Sequence, residues 1–222
     1  RLSPVGYAEV LEAVESEGSA YGTSDTLAGQ KVMVEFVSAN PTGPMHMGNA
    51  RGGVLGDTLA SVLAACGADV WREFYVNDAG NQIEKFAASL EARYLQLYQG
   101  EEAVPFPEDG YQGPDVIANA KSFAELYGDK YVSAPSEERK AALIGYALPK
   151  NIQGLHDDLL RSRVEYDNWF HESPLHENGA VGRVVELLKE KGATYEKDGA
   201  TWFHGEEYGS EDFVLVRSNG VP

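Results

Sequence analysis

The hydrophobic positions in the first third of the chain predict a strand, then a helix, then a second strand. Residues 32–37 form a short apolar run of the kind found in buried strands. After Gly48 the apolar residues recur at helical spacing, and Gly67 is a typical C-terminal stop. The apolar residues that share this helix face are Leu55, Leu59, Val62, Leu63 and Cys66. Residues 68–77 resemble another strand, so the segment predicts a βαβ unit with parallel strands.

Helical patterns dominate the middle of the chain. The predicted helices span residues 83–97, 114–127 and 136–162. A loop rich in proline and glycine, residues 99–113, separates the first helix from the second. We expect Pro149 to kink or divide the last helix, because proline cannot donate the helical hydrogen bond.

Shorter elements are predicted towards the C-terminus. Residues 166–171 have the pattern of a third strand, and residues 181–191 that of a helix closed by Gly192. An Asp-Gly turn within residues 195–203 predicts a tight hairpin.

The last residues carry a turn signal without a partner strand. An apolar run at 213–216 is followed by Asn219-Gly220, a pair typical of hairpin turns, yet no return strand follows. The chain also begins at Arg1 rather than at methionine. We therefore expect a fragment of a longer protein.

Together these patterns predict an α/β fold in three parts. Residues 1–30 form an N-terminal tail or linker, with a short helix at 7–14 and a Gly-, Ser- and Thr-rich tract at 18–29. Residues 31–98 contain the βαβ unit and form the first half of a nucleotide-binding domain. Residues 99–222 form a mostly helical insertion with short β-hairpins and the continuation of that domain, truncated at its C-terminus.

Composition narrows the classes of function. The 222 residues are 43% hydrophobic and 24% charged, which is typical of a folded globular protein. The formal net charge of −17 disfavours sequence-independent binding of nucleic acid by the whole surface. No apolar run reaches the ~18 residues of a membrane span, so we expect no membrane partner. The single cysteine, Cys66, favours a reducing compartment, and we expect a cytoplasmic protein.

The segment from Glu35 to Asn49 is the best candidate for chemistry. In a βαβ unit the end of the first strand, the loop and the start of the helix meet, and free amides there favour a phosphate. The loop has the GxxxxG spacing of a Walker A motif from Gly43 to Gly48, but Asn49-Ala50 replace its Lys-Ser/Thr. A dinucleotide-binding GxGxxG motif is absent. Neither common phosphate loop therefore explains the segment.

The residues at the start of this helix resemble a known signature. His46-Met47-Gly48-Asn49, after a Pro-Thr-Gly-Pro turn, resembles the His-Ile-Gly-His motif of class I aminoacyl-tRNA synthetases. The wider segment Glu-Phe-Val-Ser-Ala-Asn-Pro-Thr-Gly-Pro-Met-His-Met-Gly-Asn (35–49), continuing to residue 53, resembles the bacterial arginyl-tRNA synthetase family. Further matches in the same order lie at 75–82 (Tyr-Val-Asn-Asp-Ala-Gly-Asn-Gln), 107–113, 167–172 and 214–220. The resemblance covers residues 30–222 and implies a class I synthetase, Rossmann-like fold.

The resemblance implies an ATP site at the start of the helix. It places His46 and Asn49 over the triphosphate as catalytic residues that donate hydrogen bonds to charge developing at the α-phosphate. Gly48 and Pro44 would also contact ATP. Asn49 replaces the commoner histidine and can donate a hydrogen bond, but it cannot carry a positive charge.

The resemblance also implies a site for substrate arginine. Glu35, Ser38 and Asn40 match positions that recognise this substrate, and a carboxylate facing a guanidinium allows paired charge-assisted bonds. Asp78 and Gln82 lie in the second matching segment and are weaker candidates for the site. No metal-ligating residues are assigned, although Mg²⁺ would arrive with ATP.

Each candidate also has a structural explanation. Glu35 could lie on an edge strand facing water or pair with Arg51 or Arg72, and His46 could be a capping residue. Asn77, Asp78 and Gln82 have the composition of a turn and helix cap. Glycines 52, 53 and 56 favour close helix packing, and Cys66 is predicted to be a core residue.

Two functions follow from the sequence. The first is a catalytic-domain fragment of arginyl-tRNA synthetase, whose full-length members activate L-arginine with ATP and Mg²⁺ and transfer it to tRNA(Arg). The resemblance implies a monomer at full length and an inactive fragment. The alternative is a free-standing nucleotide-binding or nucleotidyltransferase module of the same superfamily. Glu35, Asn40 and segment 75–82 favour the first, because the alternative leaves them unexplained.

Overall fold

A computed structural model describes residues 3–220, and these form two compact units. The first unit extends to Phe170, and the second begins at His171. No helix among the described residues is both long enough and apolar enough to cross a membrane. The three-part domain scheme inferred from the sequence stays a prediction.

The first unit contains five helices and a three-stranded sheet among its described residues. Its helices are α1 (Pro4–Glu17), α2 (Met47–Ala65), α3 (Asn81–Gln99), α4 (Pro114–Tyr127) and α5 (Ser136–Arg161). Its strands are β1 (Lys31–Glu35), β2 (Asp69–Val76) and β3 (Asn168–His171), the last of which ends at the boundary. The predicted α/β fold and its third strand are confirmed.

The βαβ unit has the predicted parallel pairing. β1 lies beside β2 in register from Lys31 opposite Asp69 to Glu35 opposite Glu73. β3 lies on the other side of β2, which gives the strand order β1-β2-β3. The carboxyl end of β1 and the first turn of α2 therefore flank one loop, residues 36–46, which we call the β1–α2 loop.

The buried face of α2 is not the predicted one. Leu55, Leu59 and Val62 are 73%, 49% and 55% exposed, whereas the buried residues are Gly53, Gly56 and Ala60. A Cβ on Gly56 would overlap the ring of Phe36. The helix turns its smallest residues to the sheet because they permit close approach, and this outweighs the apolar pattern. The predicted packing role of Gly53 and Gly56 is confirmed.

The glycine-rich tract 18–29 is bonded to the end of α2. The backbone amides of Ser24 and Leu27 donate to the carbonyls of Ala65 and Cys66, at 2.9 and 2.8 Å. These carbonyls have no partners within the helix, so the tract satisfies them. Gly67 has a φ of +92°, and a Cβ there would lie 3.0 Å from the Ser24 carbonyl oxygen. Cys66 is half-buried at this helix end and lies outside both hydrophobic clusters, contrary to its predicted core position.

Helix α5 connects two hydrophobic clusters. Leu143 and Ala147 pack with α3 and α4, in a cluster that also holds Phe86, Leu90, Tyr94, Val116, Ala120 and Phe123. Leu155 and Leu159 pack beneath the sheet, with Phe36, Ala39, Phe74, Val76 and Val164. α5 is not divided at Pro149, because residues on both sides of the proline are fixed by packing.

Among its described residues, the second unit is a small antiparallel sheet with two α-helices and a short 3-10 helix. Its elements are α6 (Ser173–Glu177), α7 (Ala180–Glu190), β4 (Thr194–Lys197), β5 (Ala200–Phe203) and β6 (Phe213–Val216). The predicted hairpin is confirmed, with positive φ at both Asp198 (54°) and Gly199 (74°). β6 pairs with β5, and α6 was not predicted. The predicted turn signal Asn219-Gly220 lies at a turn, in which the Gly220 amide donates to the Arg217 carbonyl at 2.8 Å; positions 221 and 222 lie outside the described residues.

Replacing Gly56 tests the close approach of α2. A Cβ has no room beside Phe36, so we expect Gly56→Ala to lower the free energy of unfolding by about 1–3 kcal/mol. Gly154→Ala on α5 is a matched control, because a Cβ there has open space and the helix gains up to about 1 kcal/mol. Urea unfolding measures both variants. An equal change in the free energy of unfolding of the two variants would contradict the close contact between Gly56 and Phe36.

Asp212 makes the second unit sensitive to acid. The Glu206 amide and then the Tyr195 hydroxyl donate to its carboxylate, at 3.1 and 2.8 Å, and they lower the pKa of Asp212 below its ordinary 3.8. The stabilisation is therefore complete above pH 3.8 and is lost as the pH falls below it. We expect the stability of the unit to depend less on pH in Asp212→Asn than in the wild type. The amide NMR signals of the unit, followed between about pH 2 and 6, measure this. Tyr195→Phe removes one donor and should give an intermediate slope; an unchanged slope in Asp212→Asn would refute the assignment.

Candidate active site

The β1–α2 loop begins with a strained turn. The Ser38 amide donates to the Phe36 carbonyl at 2.9 Å, and Val37 between them has a φ of +66°. Ser38 itself has a φ of +40°. A β-branched residue rarely adopts this region, and such strain costs about 1–3 kcal/mol. The surrounding structure holds the turn, which points Ser38 back towards the end of β1.

Ser38 links three parts of the site. Its hydroxyl donates to Glu35 Oε1 at 2.8 Å and accepts from the Tyr75 amide of β2 at 3.1 Å. Glu35 is exposed on the edge strand β1, as one of its structural explanations anticipated. It does not pair with Arg72, which contacts Asp57 at 3.4 Å instead. The Glu35 carboxylate is therefore oriented by Ser38 at the mouth of the loop.

His46 and Asn49 form a reciprocal cap at the start of α2. The Gly48 amide donates to His46 Nδ1 at 3.1 Å, and the His46 amide donates to Asn49 Oδ1 at 3.1 Å. A ring nitrogen that accepts carries no proton, so the imidazole proton is on Nε2. The Asn49 Oδ1 atom is likewise used inside the cap, and its Nδ2 is the donor. The cap thus presents two side-chain donors at a helix N-terminus, where the helix dipole favours an anion.

Gly48 is required by the same cap. A Cβ on Gly48 would lie 2.9 Å from His46 Cε1 and 3.0 Å from Nδ1. The imidazole can bend back over the first turn of α2 only because this position has no side chain. The glycine of the signature is therefore explained by its contact with the histidine two residues earlier.

A cavity of about 440 Å³ opens above the β1–α2 loop. Five of the predicted site residues line it: Ser38, Asn40, Pro44, His46 and Asn49. Glu35 reaches it only through its hydrogen bond to Ser38. The structure thus brings the predicted ATP and arginine positions together around one space, which is large enough for part of a nucleotide.

Besides Glu35, three predicted residues do not line this cavity. Gly48 faces a separate apolar depression along the exposed side of α2. Asp78 and Gln82 lie before and within the first turn of α3, where Gln82 Nε2 donates to the Asn77 carbonyl at 3.1 Å. This supports their interpretation as turn residues, although Gly80 is the N-cap and no side chain caps the helix.

The far wall of the cavity comes from a distant part of the sequence. It consists of Tyr111, Gln112, Gly113 and Asp115, before and within the first turn of α4. Tyr111 is fixed there, because its amide donates to Ser89 Oγ at 2.8 Å. These residues were not predicted to be in the site. Segment 107–113 was among the matching motifs, but nothing in the pattern indicated which element it faces.

The charges around the cavity are few. Asp115 contributes a carboxylate to its lining, and His46 contributes an imidazole. Among residues 3–220, no group of three or more His, Cys, Asp or Glu side chains is placed to hold a metal ion. A phosphate group in this space would therefore be held by neutral donors and backbone amides.

Comparison with known proteins identifies the family. Residues 10–112 match the family model described as tRNA synthetases class I (R), catalytic domain. The chain is 57% identical over 215 residues to an arginine–tRNA ligase of Acetivibrio thermocellus and 59% identical to one of Caldanaerobacter subterraneus. The chain belongs to the arginyl-tRNA synthetase family. The predicted resemblance is confirmed.

Solved structures of arginyl-tRNA synthetases show the same fold. A crystal structure from Campylobacter jejuni assigned to this family superposes with a TM-score of 0.82, at 30% identity over 99% of this chain and 47% of that chain. The Thermus thermophilus arginyl-tRNA synthetase gives a TM-score of 0.62 at 21% identity, over 96% of this chain and 36% of that chain. The alignments with the two matched ligases include 96% of this chain but only 38% of each ligase.

Gly48→Ala tests whether the His46 cap affects ligand binding independently of the stability of the fold. The added Cβ pushes the His46 imidazole away, so we expect weaker binding of a non-hydrolysable ATP analogue, by roughly tenfold for one displaced hydrogen bond. The free energy of unfolding should change by less than about 1 kcal/mol, because alanine favours the helix. Gly52→Ala is the control, since its Cβ would meet its nearest neighbour only at 4.0 Å. The same loss of affinity in both variants would argue against the role of Gly48.

Proposed function

We propose that the protein containing this chain activates L-arginine with ATP to form arginyl-adenylate and transfers the arginine to tRNA(Arg). This chain supplies the half of the site that faces the α-phosphate and the substrate guanidinium. One observation carries the proposal: the Glu35–Ser38 pair and the His46–Asn49 cap open onto the same loop and cavity. Membership of the arginyl-tRNA synthetase family supports it.

The part of the site that faces the α-phosphate, the phosphate half, is formed by the donors at the start of α2. His46 Nε2 and Asn49 Nδ2 donate towards the cavity, and the helix N-terminus adds a positive potential. In adenylate formation the arginine carboxylate attacks the α-phosphorus, and pyrophosphate leaves. Negative charge grows on the phosphate oxygens in the transition state, where these preorganised donors stabilise it. Mg²⁺ would accompany ATP, held by its phosphate oxygens, and would neutralise part of their charge.

The arginine half follows from Glu35. Its carboxylate uses one lone pair of Oε1 for Ser38, so both oxygens can still accept from a guanidinium. A planar guanidinium and a carboxylate form two parallel charge-assisted bonds. Asn40 lines the cavity between Glu35 and the phosphate half, where its amide can bind the polar end of the amino acid.

The remaining properties are proposed for the full-length protein. The chain spans 38% of the length of the matched ligases. We therefore propose that transfer of arginine to tRNA needs further parts of the protein, and that this segment alone does not aminoacylate tRNA. The formal charge of −17 supports this, because it leaves tRNA binding to other parts of the protein. We propose a monomer located in the cytoplasm, where tRNA is charged.

Titration with an uncleavable arginyl-adenylate analogue tests the proposal. We expect the wild-type chain to bind it, and Glu35→Gln to bind at least tenfold more weakly because the ion pair is lost. The citrulline analogue lacks the positive charge, so its affinity should be low for wild type and unchanged by Glu35→Gln. Glu9→Gln on α1 is the control for loss of one exposed carboxylate. Equal affinity of wild type and Glu35→Gln for the arginyl compound would refute the assignment of Glu35.

A further inference from the structure

The middle of the β1–α2 loop lies between two cavities. Gly43, Pro44 and Asp115 line both the 440 Å³ cavity above the loop and a second cavity of about 230 Å³ behind it. The second cavity extends to α4 and α5. The loop at Gly43 and Pro44 therefore borders a cavity on each side.

The loop has few donors of its own with which to hold its shape. Pro41 and Pro44 have no amide hydrogen, so two of its peptide groups can only accept. The Pro41 side chain is fully buried, and Thr42 beside it is 7% exposed. A buried carbonyl at Pro41 needs a donor from another element.

That donor is Asn151 of α5. Its Nδ2 donates to the Pro41 carbonyl at 2.9 Å, across 110 residues of sequence. Its Oδ1 accepts from Asn119 Nδ2 of α4 at 3.1 Å, and Asn119 is only 4% exposed. Asn119 thus fixes which way the Asn151 amide points, because the reversed amide would set two donors against each other.

A second contact holds the beginning of the same loop. Tyr166 donates its hydroxyl to the Phe36 carbonyl at 3.1 Å, and its ring packs on Phe36 with centroids 4.6 Å apart. Burial raises the pKa of Tyr166, so the hydroxyl remains a donor. Tyr166 therefore holds the carbonyl of Phe36, and Asn151 holds the carbonyl of Pro41. Residues 37–40 lie between these two fixed points.

We propose that Asn151, oriented by Asn119, is a positioning residue for the active site. Asn151 contacts no proposed substrate. It fixes the position of Pro41 in the loop, and this determines where Asn40 lies before Pro41 and where Pro44 and His46 lie after it. This inference rests on the proposed function for its effect on nucleotide binding. The fixed position of the loop itself is a separate, directly measurable claim.

Hydrogen exchange and nucleotide titration on this chain test the proposal. In Asn151→Leu we expect the amides of Thr42, Gly43 and Met45 to exchange about tenfold faster, while those of Leu143 and Leu155 in α5 keep their rates. The α,β-methylene analogue of ATP should bind about tenfold more weakly. Gln153→Leu is the matched control, because Gln153 is an exposed amide on the same helix that bonds only to Asp157, and both readouts should stay at wild-type values.

A second variant keeps the test decisive if Asn151→Leu does not fold. Asn151→Asp retains an acceptor for Asn119 but has no donor for Pro41, so it should accelerate exchange in the same three loop amides. Unchanged loop exchange in the folded variants would overturn the proposal, as would equal acceleration in the loop and in α5, which indicates global destabilisation. If the wild-type chain binds no ATP analogue, the rest of the protein supplies most of the nucleotide affinity, and loop exchange alone decides the role of Asn151.

Discussion

The contact between Phe36 and Gly56 fixes the geometry on which the site depends. Because α2 has no side chain at Gly56, it approaches the end of β1 closely enough for the Phe36 ring to fill the gap. This determines where the first turn of α2 lies relative to β1. The donors of His46 and Asn49 and the carboxylate of Glu35 belong to different elements, and they reach one loop because these elements are held at this distance.

The sequence predicted the βαβ unit well, because strand runs, helical periodicity and the stop at Gly67 are local signals. It failed on the buried face of α2. A helical period shows which residues share a face, but the apolar face with Leu55, Leu59 and Val62 is exposed, and the glycine face is buried. Of the two outcomes predicted at Pro149, division of α5 does not occur, because the packing of Ala147 and Leu155 on either side outweighs a local preference to end the helix.

The candidate site was predictable where its residues are close in sequence. Ser38, Asn40, Pro44, His46 and Asn49 lie within one loop and the start of one helix, so a motif brings them together. The wall formed by Tyr111 and Asp115 could not be placed, because its position depends on how α3 and α4 pack. The same holds for Asn119 and Asn151, whose polar side chains look like ordinary helix surface until the loop beside them is known.

The distance in sequence between the loop and its anchors affects how the protein is made. The β1–α2 loop leaves the ribosome before its partners, because Asn151 and Tyr166 follow 110 and 130 residues after Pro41 and Phe36. At roughly 5–20 residues per second, this delay is about 6 to 26 s. During that interval the nascent chain can form the parallel strand pair and α2, while the loop lacks the contacts that give it its final shape. Maturation of the nucleotide-facing surface is therefore a late event in synthesis of this unit, although its residues are translated before those that anchor them.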